Sequence, residues 1–81
     1  MPMWFVYVVY SERDERRYVG MSDDPERRLR EHNAGHTKST KGRRPFRIVY
    51  QEQFDSPEEA REREKYFKTA AGRRFLRIIG K

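Results

Sequence analysis

The apolar positions of this chain form short clusters separated by charged segments. The first cluster, Trp4 to Tyr10, is aromatic and β-branched throughout, which is typical of a strand buried on both faces. A charged turn from Ser11 to Arg16 follows, and strand composition resumes from Arg17 to Gly20. The two apolar segments therefore predict an antiparallel hairpin.

Signals of a helix start come next. Asp24 suits the N-cap and Pro25 the first helical position, and Ala34-Gly35 closes the predicted helix. The polar, basic segment from Gly35 to Pro45 is predicted to be a loop. Beyond it, apolar and polar side chains alternate from Phe46 to Phe54, which predicts a third strand with one face more exposed to solvent.

A capping-box pattern marks the second helix. Ser56, Pro57 and Glu59 suit the N-cap, N1 and N3 positions. The pattern predicts a helix that runs to about Ala71 and is ended by Gly72.

The last segment, residues 73–79, predicts a short amphipathic helix with Phe75, Leu76 and Ile79 directed inward. The order of elements is then ββαβαα, an α+β fold in which helices pack on a small three-stranded antiparallel sheet. Eighty-one residues suffice for a single domain, residues 1–81, with one thin core, and they exclude a two-domain enzyme.

Charge adds a functional indication because it is segregated along the chain. The net charge is +6, and 14 of the 19 cations are arginine. The planar guanidinium group of arginine can donate two parallel hydrogen bonds to phosphate oxygens. Residues 34–50 carry five cations and no acid, and residues 65–81 carry six cations and no acid. The intervening residues 51–64 carry six acids. This arrangement predicts a polyanion-binding face with carboxylates beside it.

Several chemistries and locations are excluded by what the sequence lacks. There is no cysteine, and hence no disulfide, thiolate nucleophile or cysteine-based metal site. The sequence has no Ser/His/Asp order, no glycine-rich phosphate loop and no histidine cluster with metal spacing. The longest apolar run, Met3 to Tyr10, is far below the roughly 20 residues of a membrane span, so we expect a soluble, cytoplasmic protein.

One carboxylate interrupts the apolar stripe of the second predicted helix. The other members of that stripe are Ala60, Phe67 and Ala71. Glu64 therefore needs a partner, because a carboxylate directed at a core is costly unless it is paired or binds a metal. The alternative is that Glu64 lies at the edge of the stripe and pairs with Arg61 or Lys68 at helical spacing.

Four further side chains are candidates for chemistry. Tyr7 and Tyr18 lie on adjacent predicted strands, where core packing is the commoner role, although a phenol beside an arginine can accept a proton. Arg28 and His32 share one face of the first helix. That face is either solvated or directed at the tyrosines, and the sequence leaves both possibilities open.

These residues form an ordered set. Phe5-Val6-Tyr7 is followed by Tyr18-Val19-Gly20 eleven residues on, and then by Arg28, His32-Asn33 and Glu64. In this order and at this spacing, the set resembles the GIY-YIG nuclease domain, in particular its small stand-alone bacterial members and the nuclease domain of excinuclease C. The resemblance covers nearly the whole chain and departs from the pattern at Phe5, where the family name has glycine.

The resemblance implies an endonuclease that hydrolyses DNA phosphodiester bonds with one metal ion, Mg²⁺ or Mn²⁺, held by Glu64. By position, Tyr7 would be the general base, with its proton affinity influenced by His32. Tyr18 would orient the water or a phosphate oxygen, and Arg28 would stabilise charge in the transition state. Flanking phosphates would be held by the cations of the predicted loop, Lys38, Lys41, Arg43 and Arg44.

The resemblance implies DNA as the substrate, with branched or damaged DNA, as in DNA repair, as one possibility, but the sequence does not name the preferred DNA structure. A homodimer or a protein partner is the expected source of specificity. Two other functions remain open at this point. One is a non-catalytic nucleic-acid-binding module that uses the basic loop and the C-terminal helix. The other is an adaptor whose basic face binds an acidic protein.

Overall fold

The computed structural model describes residues 3–79 and has the predicted order ββαβαα. The strands are β1 (Trp4–Ser11), β2 (Arg17–Ser22) and β3 (Phe46–Phe54), and the helices are α1 (Pro25–Ala34), α2 (Pro57–Phe67) and α3 (Ala70–Ile79). The sheet is antiparallel in the order β2-β1-β3. The α+β fold class is therefore confirmed, and β1 is the central strand.

Strand β1 is buried on both faces, as its composition predicts. Because successive side chains of a strand point to opposite faces, each face receives every second residue. On one face, Val6 and Val8 pack with residues of α2 and α3. On the other face, Tyr7 and Val9 pack with Phe46 and against α1. Tyr7 is thus held between the sheet and α1.

The predicted starts of α1 and α2 are confirmed by their caps. The Asp24 carboxylate accepts a hydrogen bond from the Arg27 amide at 3.1 Å, and the Ser56 hydroxyl accepts one from the Glu59 amide at 3.2 Å. Gly35 ends α1 in the left-handed conformation, with φ of 83°. The predicted loop from Gly35 to Pro45 contains one short 3₁₀ turn, Lys41–Arg43.

The predicted boundary between the last two helices is wrong. Helix α2 ends at Phe67 rather than at Ala71, and α3 begins at Ala70 rather than at residue 73. Gly72 therefore lies inside α3 rather than at the end of α2. Ala71 is exposed, so the apolar stripe of α2 ends at Phe67.

Thr69 and Gly72 explain this boundary. The Thr69 hydroxyl accepts a hydrogen bond from the Gly72 amide at 3.1 Å, so Thr69 caps the start of α3. Gly72 is buried where α3 passes the end of α2, and a Cβ there would overlap the backbone of Tyr66 and Phe67. The glycine therefore allows close packing of two helices instead of terminating one.

The inward direction of α3 is confirmed for Leu76, which is buried, and for Phe75, which packs against the core. It is wrong for Ile79, which is 40% exposed. The buried face of α3 consists of Gly72 and Leu76, and Ile79 lies one turn beyond it. Within residues 3–79, no helix is long and apolar enough to span a membrane.

Candidate active site

A cavity of about 360 Å³ opens beside β2, the edge strand of the sheet. All five candidates for chemistry line it: Tyr7, Tyr18, Arg28, His32 and Glu64. They come from β1, β2, α1 and α2, so the fold brings together residues that are up to 57 positions apart in the sequence.

Gly20 determines how Tyr7 reaches the cavity. The two residues are opposite each other in the pairing of β1 with β2. A Cβ on Gly20 would stand 2.5 Å from the Tyr7 hydroxyl oxygen, so the phenol occupies the space that a side chain would fill. Tyr7 is only 4% exposed, and its hydroxyl lies over the backbone of the edge strand.

His32 is buried next to the Tyr7 hydroxyl. Its Nε2 is 3.5 Å from the Tyr7 hydroxyl oxygen, and its Nδ1 is 2.9 Å from the hydroxyl oxygen of Thr40. The Thr40 hydroxyl donates to the Thr37 carbonyl, which leaves its oxygen to accept from Nδ1–H. In this arrangement Nε2 carries a lone pair directed at Tyr7.

The pKa of His32 is lowered, chiefly by burial and then by the Arg28 charge, against the opposing effect of Glu31. The imidazole is therefore neutral at neutral pH and able to accept a proton. Thr40, which is buried, is a residue that sequence reasoning missed. Nothing in the local sequence distinguishes it from the other polar residues of the loop.

Arg28 is directed at the tyrosine strands, which decides between the two orientations that the sequence left open. Its pKa is raised, first by interaction with the Tyr7 hydroxyl and then by Glu31, to which it donates a hydrogen bond. The side chain is partly buried, and its guanidinium is a fixed positive charge beside the phenol.

The Tyr18 hydroxyl is already occupied by other partners. It donates to the Asp14 carboxylate at 2.6 Å and accepts from Arg43 at 3.2 Å. The pKa of Tyr18 is raised by burial and then by Asp14, so this phenol keeps its proton. Asp14, in the hairpin turn, is a second residue that the sequence analysis missed.

The structure supports the alternative interpretation of Glu64, a pair with Lys68, and also places its side chain at the cavity. Its carboxylate is 3.2 Å from the Lys68 ammonium, as expected for a pair at helical spacing, and its side chain is 21% exposed at the cavity. Among residues 3–79, no three His, Cys, Asp or Glu side chains are grouped to hold a metal. A single carboxylate still fits Mg²⁺, because that ion binds oxygen and keeps several of its waters.

The cations of the loop are dispersed. Lys38 is exposed, whereas Arg43 contacts Asp14 at 3.4 Å in addition to Tyr18. Lys41 and Arg44 line a separate shallow groove. The loop borders the active-site cavity with polar, uncharged residues: Thr37, Ser39 and Thr40.

Comparison with known proteins gives consistent matches along the chain. The family model described as the GIY-YIG catalytic domain matches residues 3–75. UPF0213 proteins of Staphylococcus saprophyticus and Staphylococcus aureus are each 40% identical over 80 residues, which is 98% of this chain and 96% of theirs. The solution NMR structure of a UPF0213 protein from Bacillus halodurans has a TM-score of 0.58 and 32% identity, with coverage of 96% of this chain and 86% of that one.

Proposed function

Starting from the fact that this chain belongs to the GIY-YIG catalytic domain family, we propose that it is an endonuclease that hydrolyses DNA with one divalent metal ion, Mg²⁺ or Mn²⁺. The observation that carries the proposal is the convergence of four chemical groups on one cavity. These groups are the Tyr7 phenol, the His32 imidazole, the Arg28 guanidinium and the Glu64 carboxylate. Phosphodiester hydrolysis needs a base, charge stabilisation and a metal ligand, and the four groups supply these functions.

Tyr7 is the general base in this proposal. His32 Nε2 takes the phenol proton, and the resulting phenolate takes a proton from the attacking water. The separation of 3.5 Å between Nε2 and the hydroxyl is long for a hydrogen bond, but such contacts often shorten when substrate binds. Thr40 is a positioning residue, because it holds the tautomer of His32 that leaves Nε2 free to accept.

Arg28 stabilises negative charge. Its guanidinium lies beside the Tyr7 hydroxyl, and in this proposal its donors also reach a phosphate oxygen in the cavity. A guanidinium contributes most when it is fixed before the reaction, and Glu31 holds this one in place. Tyr18 contributes indirectly in this proposal, because its hydroxyl accepts a hydrogen bond from Arg43 of the basic loop.

Glu64 would hold the metal ion. A divalent ion bound there supplies positive charge to the phosphate and to the leaving oxygen. Without the ion, Lys68 balances the Glu64 charge, which keeps a lone carboxylate stable at the cavity.

The decisive experiment compares Glu64→Gln with Glu62→Gln. Glu62 is an exposed residue of the same helix that does not line the cavity, so it is a matched control for the loss of one carboxylate. Supercoiled, branched and single-stranded DNA are incubated with Mg²⁺, Mn²⁺ or EDTA, and nicking is measured. We expect the wild type and Glu62→Gln to nick only with metal. We expect Glu64→Gln to bind DNA without nicking it.

Full nicking by Glu64→Gln would contradict the assignment of the metal ligand. Salt-sensitive binding without nicking by the wild type, under all metal conditions, would instead support a non-catalytic nucleic-acid-binding module. Melting temperatures measured on the same preparations show whether each variant is folded.

A further inference from the structure

A second groove, of about 700 Å³, lies between β2 and α3. It shares Tyr18 and Val19 with the active-site cavity, so the two depressions are contiguous. Five cations line this second groove: Arg16, Arg17, Lys68, Arg73 and Arg77. Among the described residues that line it, Glu15 is the one acid. The proposed chemistry uses none of these cations directly.

The cations continue from the active site to the end of α3. Lys68 stands at the junction, because its ammonium contacts Glu64, which lines the cavity. Arg73 and Arg77 follow on α3 and are exposed. They are four residues apart, so they lie on one face of the helix at a rise of about 6 Å. Positive charge repeated along a line suits a periodic polyanion better than a single bound anion.

We propose that this groove, which we term the β2–α3 groove, binds the sugar–phosphate backbone of duplex DNA next to the phosphate that is cleaved. The proposal rests on the proposed function for the position of that phosphate. The basic loop lies on the α1 side of the sheet and the β2–α3 groove on the α2–α3 side. DNA that crosses the β2 edge therefore meets cations on both sides of the cavity. Contacts of this kind hold the duplex without reading its sequence.

The test compares Arg73→Gln/Arg77→Gln with Arg30→Gln/Arg74→Gln. Both double variants remove two positive charges, and all four arginines are exposed. Arg30 and Arg74 line neither the cavity nor the β2–α3 groove, and Arg74 lies on the same helix as the tested pair. Binding of a short labelled duplex is measured in EDTA over a range of salt concentrations, with folding checked by circular dichroism.

We expect Arg73→Gln/Arg77→Gln to reduce the slope of log K against log salt by about 1.8, which is about 0.9 for each lost phosphate contact. Each single variant should give about half of that change, and the control pair should keep the slope of the wild type. Equal losses in the two double variants would overturn the proposal, because net charge alone would then explain binding.

Two further outcomes distinguish DNA binding by the groove from binding of an acidic protein and from the proposed nuclease activity. If poly-L-glutamate binding depends on Arg73 and Arg77 while duplex binding does not, the groove is a site for acidic proteins and the proposal is wrong. Since EDTA prevents metal-dependent cleavage, the binding result does not depend on nicking. If the wild-type protein binds duplex DNA through the groove but never nicks it, the proposed function is contradicted, whereas the proposal that the groove binds DNA is supported.

Discussion

At the scale of single residues, the site depends on side chains whose importance the sequence reveals unequally. Glu64 could be recognised because an acid interrupts an apolar stripe, and Arg28 could be paired with His32 by helical spacing. Thr40 and Asp14 could not be found in this way. They reach His32 and Tyr18 through the conformations of a loop and a turn, which no hydrophobic periodicity encodes.

Replacing Gly20 with alanine tests the close contact with Tyr7. The added Cβ would displace the phenol from His32 and from the cavity, so we expect nicking to be lost. Overpacking of this kind costs about 1–3 kcal/mol of unfolding free energy, partly offset because glycine is itself unfavourable in a strand. Nicking assays and urea denaturation measure the two effects. Gly42→Ala is the control, since its Cβ would meet no atom within 4 Å, and normal nicking by Gly20→Ala would contradict the prediction.

The lowered pKa of His32 predicts a pH dependence. The folded protein disfavours the imidazolium, so the unfolded chain binds more protons as the pH falls below about 6.5, the ordinary value for histidine. Stability should therefore decrease from that pH down to the lowered pKa of the folded state, whereas nicking should fall only as the pH approaches that lowered pKa, because Nε2 of the folded protein becomes protonated there. Urea midpoints at several pH values would show this decrease in the wild type. If His32→Gln shows the same decrease above the range where carboxylates titrate, the prediction is wrong.

At the scale of elements, local signals located the starts of α1 and α2, but not the end of α2 or the start of α3. Asp24 and Ser56 act as caps through contacts within three residues, and such contacts are visible in the sequence. The boundary between α2 and α3 was mispredicted because glycine has two common roles near helix ends. Gly72 permits close approach of backbones, and that role depends on how two helices pack rather than on local sequence.

Gly72→Ala should therefore destabilise the protein although alanine is the better helix former. The intrinsic gain is about 1 kcal/mol, but the new Cβ would overlap backbone atoms, which cannot move as a side-chain tip can. We expect a net loss of about 1–3 kcal/mol in unfolding free energy, as for an overpacked core. Chemical denaturation measures it, with Ala71→Gly at the exposed neighbouring position as the control for propensity. A more stable Gly72→Ala variant would exclude the packing explanation.

At the scale of the whole molecule, the segregation of charge along the sequence predicted a basic surface. It did not predict that this surface has two parts, on different sides of the sheet. The loop cations and the cations of α3 lie on different sides of the sheet, and the cavity opens at the edge between them. Sequence separation alone could not place these two blocks, because their relation is set by the packing of α1 on one face of the sheet and of α2 and α3 on the other. The acids of the intervening segment contribute Glu64 to the cavity.

Removing the positive charges of the basic loop tests how much the loop contributes to DNA binding. Lys38, Lys41 and Arg44 are exposed, whereas Arg43 already contacts Asp14 and Tyr18. Changing the first three to glutamine should weaken binding to all DNA sequences alike and reduce the salt slope by up to about 2.7. Fluorescence anisotropy over a salt series measures the slope. An unchanged slope would exclude the loop from the binding surface.

The central position of β1 has a consequence for protein engineering. β1 pairs with β2 on one side and with β3 on the other, and Gly42 lies in the exposed connection before β3. A chain divided after Gly42 would leave Tyr7 and Arg28 on the first fragment and Glu64 on the second. The two fragments would regain a complete set of groups by pairing β1 with β3 and by packing α2 against β1 and β2. Under the proposed function, the fold is therefore a template for a split nuclease, in which DNA cleavage would report that two fused partners have met.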